Sequence, residues 1–315
     1  MEGAWRVRAL VTGGAGFIGS AIAKKLLEEG HQVRILDNFL TGSRDAIPDG
    51  ADLLEGDLRD ARACGSACRD MEVVFHQGAA RSVPRSIDEP LLVQQCNVEG
   101  TLNLLTAAEN AGVRRLIFAS SSSIYGEAGG GETREDAIPD PRSPYAASKI
   151  AAEYYCRVWT HLGKCQAVSL RYFNVFGPGQ SLESKYAAIF PAFCKALLAG
   201  EAPQVHWDGE QSRDFTYIDD VVVANMSAAT AGPEVDGTVI NIAGGHPRSV
   251  NEVLSAVSQI VGRWIDPGMS PKRPGDIRHT WADIGKAKGL LGWEPVADWQ
   301  ESVKATVAWF ARSSP

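Results

Sequence analysis

The sequence predicts an α/β protein, in which a doubly wound parallel sheet is joined to a smaller, mostly C-terminal domain. Through the first half, short and almost continuously apolar runs alternate with segments of helical periodicity, as is typical of parallel strands covered by helices on both faces. A glycine-rich turn joins the first apolar run to the first helical segment. We predict strands at residues 7–11, 32–37, 52–55, 73–76, 116–119 and 167–171, and helices at residues 18–30, 93–111 and 145–162.

The pattern changes after residue 174, where Gly177-Pro178-Gly179 interrupts it and proline-containing loops become frequent. A helix is predicted at residues 189–199, and a buried strand at residues 238–243 is predicted to return to the main sheet. The domain boundary is therefore expected to be discontinuous in sequence. The first domain comprises residues 1–173, with residues 215–243 returning to it, and the second comprises residues 174–214 and 244–315.

The composition is that of an ordinary soluble globular protein, with 44% hydrophobic and 22% charged residues among 315. A net charge of −7 argues against a nucleic-acid or anionic-membrane partner. No apolar run approaches the ~20 residues that are needed to span a bilayer, and the first residues lack the layout of a signal peptide. We therefore expect a cytoplasmic protein that acts on a small molecule.

The cysteines predict free thiols and no bound metal. Cys64 and Cys68 are the only close pair in the sequence, and they lack a second pair or a nearby histidine that could complete a zinc site. Reduced thiols are the rule in the cytosol. The six cysteines are Cys64, Cys68, Cys96, Cys156, Cys165 and Cys194.

The glycine-rich turn predicts a dinucleotide site. Gly13, Gly16 and Gly19 have the spacing Gly-x-x-Gly-x-x-Gly between a predicted strand and a predicted helix. Glycines at these places permit a tight turn, close approach of the backbone to a pyrophosphate, and close packing of helix on sheet. The amides and the dipole at the helix N-terminus then favour the phosphates.

A carboxylate at the end of the second predicted strand indicates which dinucleotide is bound. Asp37 can accept hydrogen bonds from both hydroxyls of the adenosine ribose and would repel a 2′-phosphate, so we predict NAD rather than NADP. Arg44 would favour NADP, but it lies beyond the end of the strand. Asp57, after the third predicted strand, either holds the adenine amino group or caps a turn.

Tyr145 and Lys149 predict an acid/base group. At positions i and i+4 of a predicted helix, the phenol and the ammonium project from the same face. A fixed cation stabilises a phenolate and lowers the pKa of a tyrosine from its usual value near ~10. The pair can therefore act as a general base towards an alcohol or a sugar hydroxyl.

With these motifs in view, the chain resembles the extended short-chain dehydrogenase/reductase family, and within it the nucleotide-sugar 4-epimerases. It is closest in pattern to those that act on UDP-N-acetylglucosamine and UDP-glucose. The resemblance covers nearly the whole chain and implies a Rossmann-type NAD-binding domain followed by a nucleotide-sugar-binding domain. Besides the glycine motif and the Tyr145/Lys149 pair, the motifs that carry it begin at His76 (HQGAARSV), Asn97 (NVEGT), Ser120 (SSSSIYG), Arg171 (RYFNVFG), Asp208 (DGEQSRDF) and Arg273 (RPGDI).

The resemblance implies roles for individual residues around the cofactor. Tyr145 would be the acid/base, Lys149 would bind the nicotinamide ribose and lower the pKa of Tyr145, and Ser121 would relay the proton. The residues that would bind NAD are Gly13, Gly16, Phe17, Ile18, Asp37, Asn38, Asp57, Leu58, Gly78, Ala79, Asn97, Tyr145, Lys149 and Tyr172.

The resemblance likewise implies a binding site for a UDP-sugar. Arg213 and Arg273 would grip the diphosphate, a task that suits the guanidinium fork. Asp276 would hold the uridine ribose, and Thr280 stands at a gate position where a small side chain admits N-acetylated sugars. The residues that would contact the substrate are Ser82, Ser122, Ser123, Asn174, Ala188, His206, Arg213, Arg273, Asp276 and Thr280.

Related activities can be weighed on single positions. The 4,6-dehydratases carry an Asp-Glu pair where this chain has Ser122 and Ser123, so dehydration is not expected. Glucuronate 4-epimerases tend to have Thr in place of Asn174 and an Arg near Ser181, and this chain has neither. Arg81 or Lys185 could still meet a sugar carboxylate, so a glucuronate substrate stays open. A redox-sensing module without catalysis is disfavoured because both Tyr145 and Lys149 are present.

Two further expectations follow from the resemblance. His206-Trp207 replaces the usual aromatic-glycine pair beside the uracil, and Gly78 stands where alanine is usual, so recognition of the base is expected to differ. The helices at residues 93–111 and 145–162 carry apolar residues beyond those that the sheet needs. In relatives the matching pair forms a four-helix bundle, so a homodimer is expected.

Overall fold

A computed structural model describes residues 6–127, 131–181, 188–272 and 276–313. Strands and helices alternate through the first part of the chain, in agreement with the predicted pattern. The strands are β1 (Arg8–Thr12), β2 (Gln32–Asp37), β3 (Asp52–Glu55), β4 (Val73–His76), β5 (Arg115–Ser121), β6 (Gln166–Tyr172), β7 (Val175–Phe176), β8 (Gln204–His206), β9 (Ser212–Asp214), β10 (Thr216–Tyr217), β11 (Val239–Ile242), β12 (Pro247–Ser249) and β13 (Gly268–Ser270).

The α-helices connect these strands and cover the sheet. They are α1 (Phe17–Glu28), α2 (Ala61–Cys68), α3 (Val83–Asp88), α4 (Pro90–Gln94), α5 (Gly100–Ala111), α6 (Pro144–His161), α7 (Ile189–Ala199), α8 (Ile218–Thr230), α9 (Val250–Val261), α10 (Gly285–Leu291) and α11 (Trp299–Ser313). A turn of π-helix at Gln95–Glu99 joins α4 to α5, so the helix predicted at residues 93–111 is continuous but changes its hydrogen-bond pattern. Short 3₁₀ turns occupy Arg44–Ala46, Ser122–Tyr125 and Pro233–Val235.

Seven strands form one parallel sheet in the order β3-β2-β1-β4-β5-β6-β11. From β1 the chain adds β2 and β3 on one side of the sheet. It then crosses back and adds β4, β5, β6 and β11 on the other side. The carboxyl ends of β1 and β4 therefore border a crevice, which is where doubly wound sheets bind their ligands. The predicted fold class, a Rossmann-type doubly wound sheet, is confirmed.

Alternate strand residues divide the core into two layers. In β1, Ala9 and Val11 pack towards α1 and α8, whereas Leu10 packs towards α2, α5 and α6. The sheet is thus covered on both faces, which explains why its strands are apolar on both sides.

A separate apolar cluster lies in the later part of the chain, between α7, α9 and α11. Phe176 and Phe190 stack there with ring centroids 4.4 Å apart, and Phe215 and Trp299 pack against both rings. Strand β11 pairs with β6 and so belongs to the main sheet. The exact limits of the two domains remain a prediction.

Two observations limit the kinds of site that the described residues can form. None of their helices is both long and apolar enough to cross a membrane. They also bring no three His, Cys, Asp or Glu side chains together in a way that could hold a metal ion. The six cysteine thiols are free and buried.

Candidate active site

A cleft opens at the carboxyl ends of β1 and β4, the point at which the strand order reverses. It brings together the glycine turn, the end of β2, the turn after β4 and the first turns of α6. The residues that line it include Gly13, Gly16, Phe17, Ile18, Asp37, Asn38, Asp57, Leu58, Gly78, Ala79, Arg81, Tyr145, Lys149 and Tyr172. Of the residues predicted to bind the cofactor, Asn97 lies outside this lining.

The glycine turn leaves no room for a side chain at Gly13 or Gly19. Gly13 has φ of +69°, and a Cβ atom there would lie 2.6 Å from the backbone nitrogen of Gly78. At Gly19 a Cβ atom would lie 2.2 Å from the carbonyl oxygen of Gly13. Gly16 caps α1 without any side-chain hydrogen bond, so the amides of the first turn remain for an anion. The turn is therefore a cradle that fits a pyrophosphate.

Replacing Gly19 with Ala is expected to break this cradle. The added methyl would meet the Gly13 carbonyl, so the free energy of unfolding should fall by about 1–3 kcal/mol, and the purified variant should carry less dinucleotide than the wild type. Gly65→Ala in α2 is the matched control, because a Cβ atom there meets nothing within 4 Å and alanine favours a helix interior by up to ~1 kcal/mol. Thermal unfolding and the nucleotide content of both variants check this, and a Gly19→Ala protein with normal content would contradict it.

Asp37 lies at the end of β2, directly beside the glycine turn. Its Oδ2 accepts a hydrogen bond from the amide of Ala15 at 2.9 Å, and its Oδ1 accepts one from the amide of Phe39 at 2.8 Å. Each carboxylate oxygen can accept a second bond, so the group fits two ribose hydroxyls while it holds the turn in place. Arg44 is bound to Glu55 and lies 4.3 Å above the Phe39 ring, so its charge is already paired.

The Asp57 carboxylate accepts more hydrogen bonds from the protein than the sequence suggests. Its carboxylate accepts three hydrogen bonds from Arg59, between 2.7 and 3.0 Å, and one from Asn38 at 2.7 Å. These bonds, above all the one from the Arg59 side chain, lower the pKa of Asp57 to about 2. Four bonds fill the usual acceptor positions of a carboxylate. This arrangement supports the turn-forming role of Asp57 better than a bond to adenine.

A buried chain of hydrogen bonds lies behind the cleft. The amide of Gly78 donates to the Thr12 hydroxyl at 3.1 Å, and that hydroxyl lies 2.8 Å from His76 Nδ1. His76 Nε2 lies 2.9 Å from the Thr101 hydroxyl, which donates to the carbonyl of Asn97 at 2.6 Å. Burial lowers the pKa of His76 to about 3, so the ring is neutral and links β1 to α5 as a donor and an acceptor.

Asn97 continues this chain towards α6. Its Oδ1 accepts from the amide of Ala80 at 2.8 Å, and its Nδ2 donates to the Ser148 hydroxyl at 2.9 Å. Ser148 in turn donates to the carbonyl of Tyr145 at 2.8 Å. The Asn97 amide is therefore engaged with protein groups, and it orients the turn and helix that face the cleft.

Ser121, Tyr145 and Lys149 come together as predicted. Ser121 ends β5, and its side chain is a hydrogen-bond partner that acts to lower the pKa of Tyr145 in the first turn of α6. Lys149 Nζ donates to the carbonyl of Ala119 at 2.8 Å and lies 5.9 Å from the centroid of the Tyr145 ring. Helix α6 begins at Pro144 with the Ser143 side chain capping the amide of Ala146, and this cap places the pair at the end of β5.

Burial dominates the electrostatics of this group. It raises the pKa of Tyr145, and the hydrogen bond with Ser121 and the positive charge of Arg81 oppose that rise. It also lowers the pKa of Lys149 to about 8, although the negative charge of Glu153 acts in the other direction. The cation that acts most directly on the phenol is therefore Arg81, whereas sequence reasoning assigned that effect to Lys149.

A buried ion pair fixes the back of α6, and sequence reasoning missed it. Glu153 accepts two hydrogen bonds from Arg171 of β6 at 2.9 and 2.8 Å, and one from the Ser120 hydroxyl. Arg171 also donates to the Tyr125 hydroxyl at 2.7 Å. Glu153 follows Lys149 by one helical turn on the same face, and this spacing could have revealed it.

A second cleft lies beside the first, where β6 ends. Tyr172 lines the first cleft, and Asn174, two residues later, lines the second. Five predicted substrate residues meet there together with the unpredicted Gln211: Asn174, Ala188, His206, Arg213 and Asp276.

Arg213 is the buried cation of the second cleft. Its Nη2 donates to Asp276 Oδ1 at 2.9 Å, and its Nη1 donates to the carbonyls of Ser212 and Arg278 at 2.9 and 3.3 Å. A buried guanidinium with a single carboxylate partner can attract further negative charge. The cleft therefore fits an anionic group such as a diphosphate.

The other predicted substrate residues that the structure describes lie outside the linings of the two clefts. Ser82 has φ of +97° and accepts a bond from the amide of Arg85, and Ser121 accepts one from the amide of Ser123. Thr280 is buried, and its hydroxyl accepts a bond from the amide of Asp214 at 3.1 Å. Ser122 lies in the 3₁₀ turn that follows β5. Arg273 and Lys185 lie outside the described residues.

Comparison with known proteins supports the family resemblance that the sequence motifs indicated. Residues 9–243 match the model of the NAD dependent epimerase/dehydratase family. The chain belongs to this family. It is 36% identical over 315 residues to the UDP-glucose 4-epimerase of Mycolicibacterium smegmatis, covering 98% of this chain and 100% of that protein. The predicted family resemblance is thereby confirmed.

Two solved structures extend the likeness to three dimensions. The UDP-N-acetylglucosamine 4-epimerase from Methanobrevibacter ruminantium, in complex with UDP-N-acetylmuramic acid, aligns with a TM-score of 0.93 and 37% identity, covering 98% of this chain and 99% of that one. The UDP-glucose 4-epimerase from Thermus thermophilus, in complex with NAD, aligns with a TM-score of 0.90 and 37% identity, covering 96% of this chain and 98% of that one.

Proposed function

We propose that this protein is an NAD-dependent 4-epimerase of UDP-hexoses, an isomerase that works through a transient 4-keto sugar. The observation that carries the proposal is that Tyr145 and Lys149 line the same cleft as the glycine turn, with Ser121 acting on the Tyr145 phenol. Relatives named UDP-glucose 4-epimerase and a UDP-N-acetylglucosamine 4-epimerase structure support it over the full length of the chain.

The described residues fit NAD. Gly13 and Gly19 leave space that a Cβ atom would fill, and the uncapped start of α1 supplies amides for the pyrophosphate. Asp37 would hold the adenosine ribose, and Lys149 and Tyr172 would border the nicotinamide end. When bound, NAD supplies a reversible acceptor for the hydride at C4 of the sugar.

The protein's own groups handle the proton. Tyr145 takes the proton of the sugar 4-hydroxyl, directly or through Ser121, while C4 is oxidised to a ketone. The 4-keto sugar turns about its diphosphate linkage, C4 is reduced on its other face, and Tyr145 returns the proton. Ser122 and Ser123 carry no acid that could expel a hydroxyl, so water is not lost.

Inversion requires a firm grip on the UDP and a loose grip on the sugar. Arg213 and Asp276 give the second cleft its charged groups, and Arg273 is proposed to join them. Small hydroxyl side chains, those of Ser82, Ser121 and Ser122, are proposed to face the hexose. A few weak polar contacts would let the keto sugar rotate while the diphosphate stays bound.

The proposal is tested with purified protein to which no cofactor is added. Mixed with UDP-glucose, it should produce UDP-galactose, detected by NMR, without net accumulation of NADH. A net oxidoreductase would change the cofactor absorbance, a dehydratase would release water from the sugar, and a sensing module would leave the sugar unchanged. Either of the first two outcomes, or a sugar left unchanged with both UDP-glucose and UDP-N-acetylglucosamine, would refute the proposal.

A uronate is the second candidate substrate, because Arg81 lines the same cleft as Tyr145. Its guanidinium could pair with a sugar carboxylate. A panel of UDP-glucose, UDP-N-acetylglucosamine and UDP-glucuronate under identical conditions ranks the three substrates by kcat/KM.

We propose that the reaction takes place in the cytoplasm, which the six free thiols support.

We further propose that the protein is a homodimer. Apolar side chains are exposed along α6 at Tyr154 and Val158, at Leu162 directly after its end, and on the neighbouring α4 at Leu91. A row of exposed apolar residues on packed helices is typical of a subunit interface. On α5 itself the exposed residues are polar, so the proposed interface uses α4 and α6.

Val158→Glu is expected to convert the dimer to a monomer, because a charge would be buried without a partner in the interface. Val223→Glu on α8 is the matched control, since Val158 and Val223 are 44% and 46% exposed on helices. Sedimentation velocity over a range of concentrations measures both. A wild-type protein that sediments as a monomer at every concentration would contradict the homodimer.

A further inference from the structure

Trp207 has a backbone conformation that large side chains avoid. Its φ is +64°, in the left-handed region where glycine is preferred. Among the described residues, four other non-glycine residues have positive φ. Two of them, Ser82 and Asn174, are predicted substrate residues. Backbone strain of this kind persists at sites where the side chain has a use.

The indole of Trp207 is covered by cations. Lys272 Nζ lies 4.2 Å and Arg278 Cζ lies 4.5 Å from the ring centroid. Both distances are well within the range of a cation–π contact. Arg278 also donates to both carboxylate oxygens of Asp208 at 2.8 Å, and the amide of Trp207 donates to the carbonyl of Ser270 at 2.8 Å.

These contacts connect two sides of the second cleft. Trp207 directly follows His206, and Arg278 lies two residues after Asp276, and both His206 and Asp276 line the cleft. The carbonyl of Arg278 accepts bonds from the amide of Ser212 at 3.0 Å and from Arg213 at 3.3 Å. The segment that carries Asp276 is thus held by Arg213 on one side and by Trp207 on the other.

We propose that Trp207 is a positioning residue for nucleotide binding: its indole holds Lys272 and Arg278, and thereby fixes Asp276 opposite Arg213. Identification of the nucleotide as UDP rests on the proposed function. The ring is already in contact with two cations, so it acts through them and does not stack on the base. Without the ring, Arg278 keeps its bonds to Asp208, but Lys272 and Arg278 lose the indole that holds them together, and the nucleotide end of the site loosens.

Trp207→Gly tests this directly, because glycine suits the backbone and removes only the ring. We expect the Kd for UDP and the KM for UDP-glucose to rise about tenfold, as loss of two cation–π contacts implies, with kcat within about twofold and Tm not lowered. Trp207→Phe should restore most of the affinity. Arg278→Met, which removes one of the two contacts and the bond to Asp208, should also raise both values, and the double variant should lose less than the sum of the two single effects.

Trypsin provides a readout that needs no ligand. Cleavage after Lys272 and Arg278 should be faster in the apo Trp207→Gly protein than in wild type, and Trp207→Phe should protect both sites again. Trp264→Gly is the control, because Trp264 is exposed in the same domain and bonds to Asp266. Unchanged cleavage in Trp207→Gly would overturn the proposal.

The binding data separate the remaining outcomes. Weaker UDP binding in Trp207→Gly with normal binding in Arg278→Met would mean that the indole stacks on the base, and this also overturns the proposal. A wild-type protein with no affinity for UDP would refute the proposed function, whereas the cleavage pattern would still decide whether Trp207 holds the segment.

Discussion

Replacing Tyr145 with Phe is expected to lower kcat for epimerisation about 10³-fold or more, while the Kd for UDP and the retained NAD stay unchanged. The substitution removes one oxygen, the only part of the side chain that can take the 4-hydroxyl proton, and general acid/base groups contribute about 10²–10⁴-fold. Ser121 is not expected to replace it, because the role proposed for its hydroxyl is only to relay the proton towards the phenol. Single-turnover kinetics with UDP-glucose measures the loss.

Tyr154→Phe is the matched control for this experiment. It makes the same chemical change on the same helix, at a side chain that is 52% exposed and outside the cleft. Its kcat should equal that of wild type. Turnover in Tyr145→Phe within about tenfold of wild type would contradict the role of Tyr145, since general acid/base groups contribute at least ~10²-fold.

The pH dependence of the wild-type enzyme follows from the environment of Tyr145. Burial raises the pKa of the phenol, and the Ser121 bond and the Arg81 charge only oppose that rise. In the free protein the phenolate is therefore a minor form at neutral pH, and kcat/KM is expected to increase as the pH is raised. Arg81→Gln should move this rising limb to higher pH.

The fold could be predicted closely because its strands are governed by local pattern. Strands β2, β3 and β4 have the predicted limits, since each is a short apolar run between turn residues. The predicted helix at residues 93–111 contains a π turn at Gln95–Glu99 that periodicity does not reveal, because apolar spacing hardly changes over one turn. That turn places Asn97 where it can bridge Ala80 and Ser148.

The candidate site could be predicted as a set of residues but not as a set of contacts. Sequence spacing placed Lys149 beside Tyr145, and the two are neighbours in the structure. Spacing alone could not show that Lys149 binds the carbonyl of Ala119, or that Arg81 from another loop acts on the phenol. Likewise it placed Asp57 near the cofactor without showing that Arg59 and Asn38 fill its acceptor positions.

The buried pair of Glu153 and Arg171 illustrates the same limit. The two residues are 2.8 Å apart at their closest, and they come from a helix and a strand that only the tertiary fold brings together. A buried ion pair is a weak source of stability, but it specifies how its elements pack. Here it holds the face of α6 on which Tyr145 and Lys149 lie.

Lys149→Met is expected to abolish most activity and yet stabilise the protein. Burial lowers the pKa of Lys149 from 10.5 to about 8, so keeping its charge in the folded protein costs about 3 kcal/mol at neutral pH. Methionine avoids that cost but loses the bond to Ala119 and the contact with Phe118, worth about 1–2 kcal/mol together. A net gain of about 1 kcal/mol should raise Tm by about 2 °C, while kcat falls about 10²-fold or more.

The sign of this effect can be checked with pH. Because the folded pKa of Lys149 lies below the unfolded one, the unfolded chain binds more protons between pH 8 and 10.5, and wild-type stability rises over that range relative to the variant. The advantage of Lys149→Met should therefore be full below pH 8 and shrink towards pH 10.5. Lys164→Met removes a partly exposed lysine that pairs with Glu109, so it should give no gain at either pH. If Lys149→Met were less stable than wild type at pH 7 and fell further behind as the pH was lowered, the ammonium would be a stabilising group and not one retained for catalysis.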